Sequence, residues 1–198
     1  PLSVIQAEAE QFPGPLADLV QRQADAMREQ VEHHLRRARA VARSQGSGER
    51  TPVEPVVDEL ARTLEKIYSR KRVDIDWICP PELVFTGERQ DLMEMVGNLL
   101  ENACKWSRGY VRVVCRAQGS GRLTVTVEDN GVGLPVDRQN EMLKRGVRLD
   151  EASPGSGLGL SIVDDLARAY GGTMTLFSSD LNGLGLVLEL PALKMSTQ

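Results

Sequence analysis

Residues 98–107 read NLLENACKWS. They close a longer run, ERQDLMEMVGNLLENACKW (88–106), in which Leu92, Met95, Val96, Leu99, Leu100 and Ala103 recur at helical spacing and predict an amphipathic helix. Asn98 and Asn102 stand four residues apart on one face of that helix, and Lys105 follows three further on. An amide oxygen is a hard ligand suited to Mg²⁺, and an ammonium suits phosphate oxygens. Taken alone, such a pair reads as the polar face of an ordinary amphipathic helix.

Downstream, YVRVVCRA and RLTVTVED alternate apolar and polar residues and are joined by QGSG, which predicts a hairpin. Its second strand runs into VEDNGVGLP (127–135), with Asp129 at the strand end and Gly131 and Gly133 in a turn. A carboxylate there can accept from an exocyclic amine, and the glycines let the backbone approach a planar ligand. A Gly-rich, irregular stretch follows from Asn130 to Gly157. Within it, SPGSGLGLSIV (153–163) sets Gly155, Gly157 and Gly159 directly before a predicted helix, LGLSIVDDLARAYG, capped by Gly171 and Gly172. No G-x-x-x-x-G-K-[ST] string occurs, and this G-x-G-x-G follows a polar loop rather than a strand, which excludes a Walker loop and a dinucleotide turn. The stretch reads as a lid or hinge. TMTLFSS and LGLVLEL form a further hairpin, and upstream PVVDELARTLEKIYSRK predicts a helix followed by strands at VDIDWI and LVFTG. Hairpins mixed with helices, without regular βαβ alternation, predict an α+β sandwich: a largely antiparallel or mixed sheet under a layer of helices.

The first 43 residues are different. They carry almost no strand signal, and Pro13-Gly14-Pro15 breaks them into a short and a longer helix. Val20, Ala24, Met27, Val31, His34, Ala38 and Val41 form a heptad seam on the second helix. A hairpin with one such seam cannot bury itself alone; the simplest partner is a second copy, giving a dimeric four-helix bundle. SQGSGERTPVEP (44–55) reads as a flexible linker. The expected organisation is therefore a helical hairpin over 1–43, a linker over 44–55 and an α+β domain over 56–198.

Composition narrows the function classes. A net charge of -4 gives no broad basic field for nucleic acid or an anionic membrane surface. No apolar run approaches the roughly 18 residues of a membrane span, and the start does not resemble a signal peptide. Cys79, Cys104 and Cys115 form no C-x-x-C pair, which favours buried thiols in a reducing compartment over zinc. Aromatics are only 4% of residues, so the core must be mostly aliphatic.

Each motif is weak, but their order is specific. NLLENACKWS, DNGVGLP, GSGLGLSIV and NGLGLVLELP resemble, in sequence, the N, G1, G2 and G3 boxes of the sensor histidine kinases of two-component systems. The preceding hairpin is similar to their dimerisation and phosphotransfer domain. EKIYSRKRVDIDW, NACKW and KRGVRLDEASPGSGLGL, where many relatives carry an aromatic box, look like the PhoQ-like branch. The resemblance implies an ATP-binding sandwich of the histidine kinase, gyrase and Hsp90 type. It implies Mg²⁺ on Asn102 with Asn98 beside it, and Lys105 on phosphate. Trp106 stands near the nucleotide, where relatives usually carry Tyr, Phe or His. Asp129 would accept from the adenine amine, with Gly131 and Gly133 admitting adenine and ribose. Gly155, Gly157 and Gly159 would hinge a lid anchored by Leu158 and Leu160, with Arg145 and Arg148 as candidates to neutralise the γ-phosphate. Asn98 also corresponds to the position where hydrolysing relatives such as gyrase, MutL and Hsp90 carry a carboxylate base. An amide cannot deprotonate water, so ATP would be preserved for transfer to a histidine and thence to an aspartate of a response regulator. A nucleotide-binding pseudokinase or scaffold, and a related-fold ATPase, are the competing readings. The implied setting is the cytoplasmic portion of a bacterial inner-membrane protein acting as a homodimer.

His33 and His34 are the only histidines. Neither lies in the family's H-[DE]-hydrophobic-[RK]-x-P acceptor motif, and PLSVIQAEAE at the start is similar to the residues from that motif's proline onward. The acceptor is therefore expected five residues before Pro1, outside this sequence, and this chain is expected not to phosphorylate itself. His33 and His34 are expected to pack or to meet a partner.

Overall fold

The computed structural model describes residues 14, 16–21, 23–24, 27, 48–119, 121–134 and 159–193. The chain divides into two units, residues 1–39 and 40–198. In the first, residues 16–21 are helical. Of the expected seam, Val20, Ala24 and Met27 are described; His33, His34 and the other seam positions lie outside the described residues.

The second unit is built from β1 (Arg50–Pro52), α1 (Val53–Ile67), a 3₁₀ turn (Ser69–Lys71), β2 (Asp74–Ile78), β3 (Val84–Thr86), α2 (Arg89–Trp106), β4 (Tyr110–Gln118), β5 (Arg122–Asp129), α3 (Gly159–Ala169), β6 (Thr173–Ser178) and β7 (Leu184–Pro191). Five strands form a mixed sheet in the order β2-β4-β5-β7-β6, while β1 and β3 make a separate antiparallel ribbon. Among the described residues only β2 and β4 pair in parallel, and α2 lies in the connection between them. The remaining pairs of the large sheet are antiparallel, two of them hairpins. The α+β class expected from sequence is the observed one.

Alternation decides which face is covered. Register aligns Val113 with Val127 and Leu186, and Cys115 with Val125 and Leu188, all buried. The three helices share one core with these residues. Between them, Arg112 aligns with Glu128, and Arg116 with Thr124 and Glu189, on the opposite, more polar face. α2 is the central helix: Leu92, Met95, Val96, Leu99 and Leu100 are all fully buried, and it packs on α1, α3, β4 and β5. Among the described residues the core is mostly aliphatic; its buried aromatics are Phe85 and Tyr170, whose rings meet edge to face at 5.0 Å. All three cysteines are buried and free.

Two boundaries differ from the sequence reading. Residues 50–55, expected in the linker, belong to the folded unit. Arg50–Pro52 pair with β3, the Thr51 hydroxyl donates to the Gly87 carbonyl at 2.8 Å, and Val53 begins α1 fully buried. Pro52 and Pro55 are compatible with this helix start, because a proline before or within the first helical turn has no intrahelical hydrogen bond to lose. The predicted helix over 55–71 also stops early. α1 ends at Ile67, and the chain leaves the following 3₁₀ turn through Arg72 in the left-handed region (φ 54°).

Candidate functional site

Three segments distant in sequence meet at one end of the sheet. They are the last turn of α2, the loop after β5, and the turn between β6 and β7. Asp129 closes β5 opposite Val111, so its side chain falls on the helix-covered face, where it is 1% exposed. Its Oδ1 accepts from the backbone N–H of Gly131 at 2.7 Å and of Leu184 at 3.4 Å. Its Oδ2 is buried and has no partner. Burial pushes this carboxyl above the ordinary aspartate range, against the pull of those two N–H groups and the Lys71 charge.

Glycines make the enclosure possible. A Cβ on Gly131 would stand 2.4 Å from the Trp106 carbonyl oxygen and 2.7 Å from Asp129 Oδ1. One on Gly183 would stand 2.1 Å from the Asp129 carbonyl oxygen. Gly133 adopts φ 66°, with the Gly183 carbonyl 3.2 Å from where its Cβ would be. The backbone thus closes around Asp129 from both sides and leaves one carboxylate oxygen to be satisfied by a donor.

On α2, the Nδ2 position of Asn102 is likewise buried without a partner. Asn98 is differently disposed. Its Nδ2 donates to the Glu94 carbonyl one turn back at 2.8 Å, and its Oδ1 lies 2.8 Å from where a Gly159 Cβ would be. Asn98 therefore abuts the first residue of α3, and Leu160 beside it is buried in the core. The Lys105 ammonium sits 5.0 Å from the centroid of the Trp106 ring, a cation–π distance.

The last turn of α2 is held from outside. Lys71 Nζ donates to the carbonyls of Cys104 at 2.8 Å and Lys105 at 2.7 Å, placing a cation at the negative end of the helix. Asn130 Oδ1 accepts from the N–H groups of Arg108 at 2.8 Å and Tyr110 at 3.1 Å, fixing the α2–β4 connection beside the β5 end. Burial pushes the Cys104 thiol up to about 12, so it is inert packing.

Asn98, Asn102, Lys105 and Trp106 lie on α2, Asp129 ends β5 with Gly131 and Gly133 just after it, and Gly159 and Leu160 open α3. Arg145, Arg148, Gly155, Gly157 and Leu158 lie outside the described residues. Sequence reasoning missed Lys71, Asn130 and Gly183 as parts of the site. Asn130 and Gly183 sat inside motifs already noticed, but Lys71 had no local signal because its partners lie more than thirty positions away.

Residues 87–194 match the histidine kinase-, DNA gyrase B-, and HSP90-like ATPase family. The chain belongs to this family. Among relatives of this ATPase-type domain, the sensor protein kinase CarS of Pseudomonas aeruginosa is 40% identical over 169 residues, covering 84% of this chain and 38% of CarS. The sensor protein PhoQ of Escherichia coli K12 is 35% identical over 161 residues, covering 81% of this chain and 33% of PhoQ. The chain thus spans about a third of the length of these relatives. The solved structure of the mycobacterial sensor histidine kinase MprB superposes with a TM-score of 0.64 at 28% identity, over 75% of this chain and 99% of that one. The folded unit is thus an ATPase-type catalytic domain of the sensor histidine kinase class, homologous to those of PhoQ and CarS. Among the described residues no helix is long and apolar enough to cross a membrane.

Proposed function

We propose that this chain binds Mg·ATP and serves as the catalytic region of a sensor histidine kinase, delivering the γ-phosphoryl group to a histidine and thence to an aspartate of a response regulator. The observation that carries the reading is Asp129 Oδ2, a buried acceptor without a donor, enclosed by Gly131 and Gly183. An adenine amino group supplies one N–H there; guanine presents a carbonyl oxygen at the same position and leaves two acceptors facing each other. Such a site rejects the wrong base strongly, because a buried polar group is then unpaired.

The buried orphan on Asn102 supports a metal position. The two ends of a side-chain amide are assigned from their hydrogen bonds. Turned by half a rotation, the amide would present its oxygen there as a ligand for Mg²⁺. When bound, Mg²⁺ neutralises phosphate charge during transfer. Lys105, steadied over Trp106, contributes a phosphate contact at the same end of α2. Asn98 supports transfer over hydrolysis. Its amide accepts no proton from water, and its nitrogen is already engaged with Glu94. Arg145, Arg148 and the Gly155–Leu158 segment form the lid in this reading, with Gly159 and Leu160 as its anchored end. The hairpin of residues 1–43 makes the homodimer. His33 and His34 stand outside the acceptor pattern, so this chain binds ATP without labelling itself.

Titration of ATP into the 198-residue chain, with and without Mg²⁺, tests the proposal. Binding that strengthens with Mg²⁺, and that Asp129→Asn weakens about a hundredfold or more, is expected. A rapid steady-state ATP hydrolysis would instead favour a hydrolase.

A further inference from the structure

The two acids that end β5 point to opposite faces of the sheet, and only Asp129 has been used so far. Glu128 is also buried, at 6% exposure, on the face away from the helices. Arg112, its register partner on β4, places Nε at 3.0 Å and Nη2 at 2.8 Å from one oxygen, Oε2. That leaves Oε1, which accepts the hydroxyl of Ser179 at 2.9 Å. Ser179 is 7% exposed and begins the turn between β6 and β7. It organises the whole turn. Its hydroxyl oxygen accepts from Leu181 N at 3.0 Å, its carbonyl from Asn182 N at 3.0 Å, and its own N–H donates to the Gly183 carbonyl at 3.1 Å. Asn182 sits in the left-handed region (φ 68°), which asparagine tolerates. The far end of this turn carries Gly183 and Leu184, the backbone that encloses Asp129.

We infer that Ser179, held by the Arg112–Glu128 ion pair, is a positioning residue for adenine recognition: it fixes the turn that sets the Asp129 carboxylate in place. The device crosses the sheet. Glu128 and Ser179 meet on the face of the sheet opposite the Asp129 side chain, yet removing the Ser179 hydroxyl takes two of the four hydrogen bonds from the turn and loosens the wall formed by Gly183 and Leu184. Glu128 would keep its guanidinium partner but lose its second one. The inference rests on the reading of Asp129 as the adenine acceptor.

The test compares ATP, GTP and inorganic tripolyphosphate binding to the full 198-residue chain by calorimetry. Ser179→Ala is expected to weaken ATP roughly tenfold, the size of a lost hydrogen bond to a charged group. Tripolyphosphate and GTP binding should change less than about twofold, so the preference for ATP shrinks. Ser179→Thr, which keeps the hydroxyl, should restore it. Glu128→Gln keeps an oxygen for Ser179 but loses the charge, and should fall between. Wild-type affinity in Ser179→Ala, or an equal loss for all three ligands, overturns the inference while leaving the Asp129 reading intact. ATP binding that Asp129→Asn leaves unchanged overturns the reading and the inference together, as does a wild-type chain that binds no ATP. If Ser179→Ala and Glu128→Gln both fail to fold, the network serves the fold alone and the inference fails.

Discussion

Asp129 sets the terms of the site at the residue scale. Its carboxyl binds a proton more tightly in the folded chain than in the unfolded one, because burial outweighs its hydrogen bonds. A group raised in this way contributes stability below its unfolded pKa and loses it as pH rises through the folded value. Part of the wild-type stability should therefore decline with increasing pH above the ordinary aspartate range, and Asp129→Asn should remove that slope. Melting temperatures of both chains between roughly pH 4 and pH 7 check this; parallel curves would contradict it. The same substitution should weaken ATP by about a hundredfold or more, since it sets an N–H against the adenine amine. At Asn102 the expected signature is different. Asn102→Ala should cost about tenfold in ATP affinity with Mg²⁺ present and little in its absence, read by titration with and without chelator. Asp129 and Asn102 were legible in the sequence because their motifs are local. Their unpartnered atoms were not legible, because burial is made by glycines and carbonyls from other segments.

At the element scale, the glycines and the helix end carry the testable weight. Gly183→Ala forces a Cβ to within 2.1 Å of the Asp129 carbonyl oxygen, a backbone atom that cannot swing aside. It should lower the melting temperature and abolish ATP binding together. Lys71→Met removes a cation from the C-terminal carbonyls of α2, and should cost about 1 kcal/mol by denaturant titration. The element boundaries show where sequence patterns stop being sufficient. α2, β4, β5 and α3 emerged from periodicity because each has one buried face. β1 did not: it is three residues long, it contains Pro52, and its partner β3 lies some thirty positions on. Its place is fixed by pairing and by the Thr51–Gly87 hydrogen bond, neither of which leaves a periodic trace.

For the whole molecule, the aliphatic core and the order of the motifs made the fold class readable, and residues 87–194 belong to a known ATPase family. Most of the expected hairpin, and Arg145, Arg148, Gly155, Gly157 and Leu158 of the expected lid, lie outside the described residues. Their consequences are measurable in solution. Incubation with labelled ATP and Mg²⁺ should leave no acid-labile phosphate on the chain; stable phosphohistidine at His33 or His34 would contradict that expectation. Light scattering should report a dimer if residues 1–43 form half of a four-helix bundle, and a monomer would remove the bundle from the reading.

The hairpin register has a consequence for how such a domain tolerates change. Glu128 and Asp129 are adjacent acids with the same charge, and nothing but strand parity assigns one to the pocket and the other to the outer face. A slip of one residue between β4 and β5 would preserve composition, net charge and motif, yet exchange their duties. The longer carboxylate would then crowd the enclosure formed by Gly131 and Gly183, and the shorter one would fall short of Arg112. The connection between β4 and β5 is thus a place where a single-residue insertion or deletion is expected to act like a substitution of Glu128 and Asp129 together.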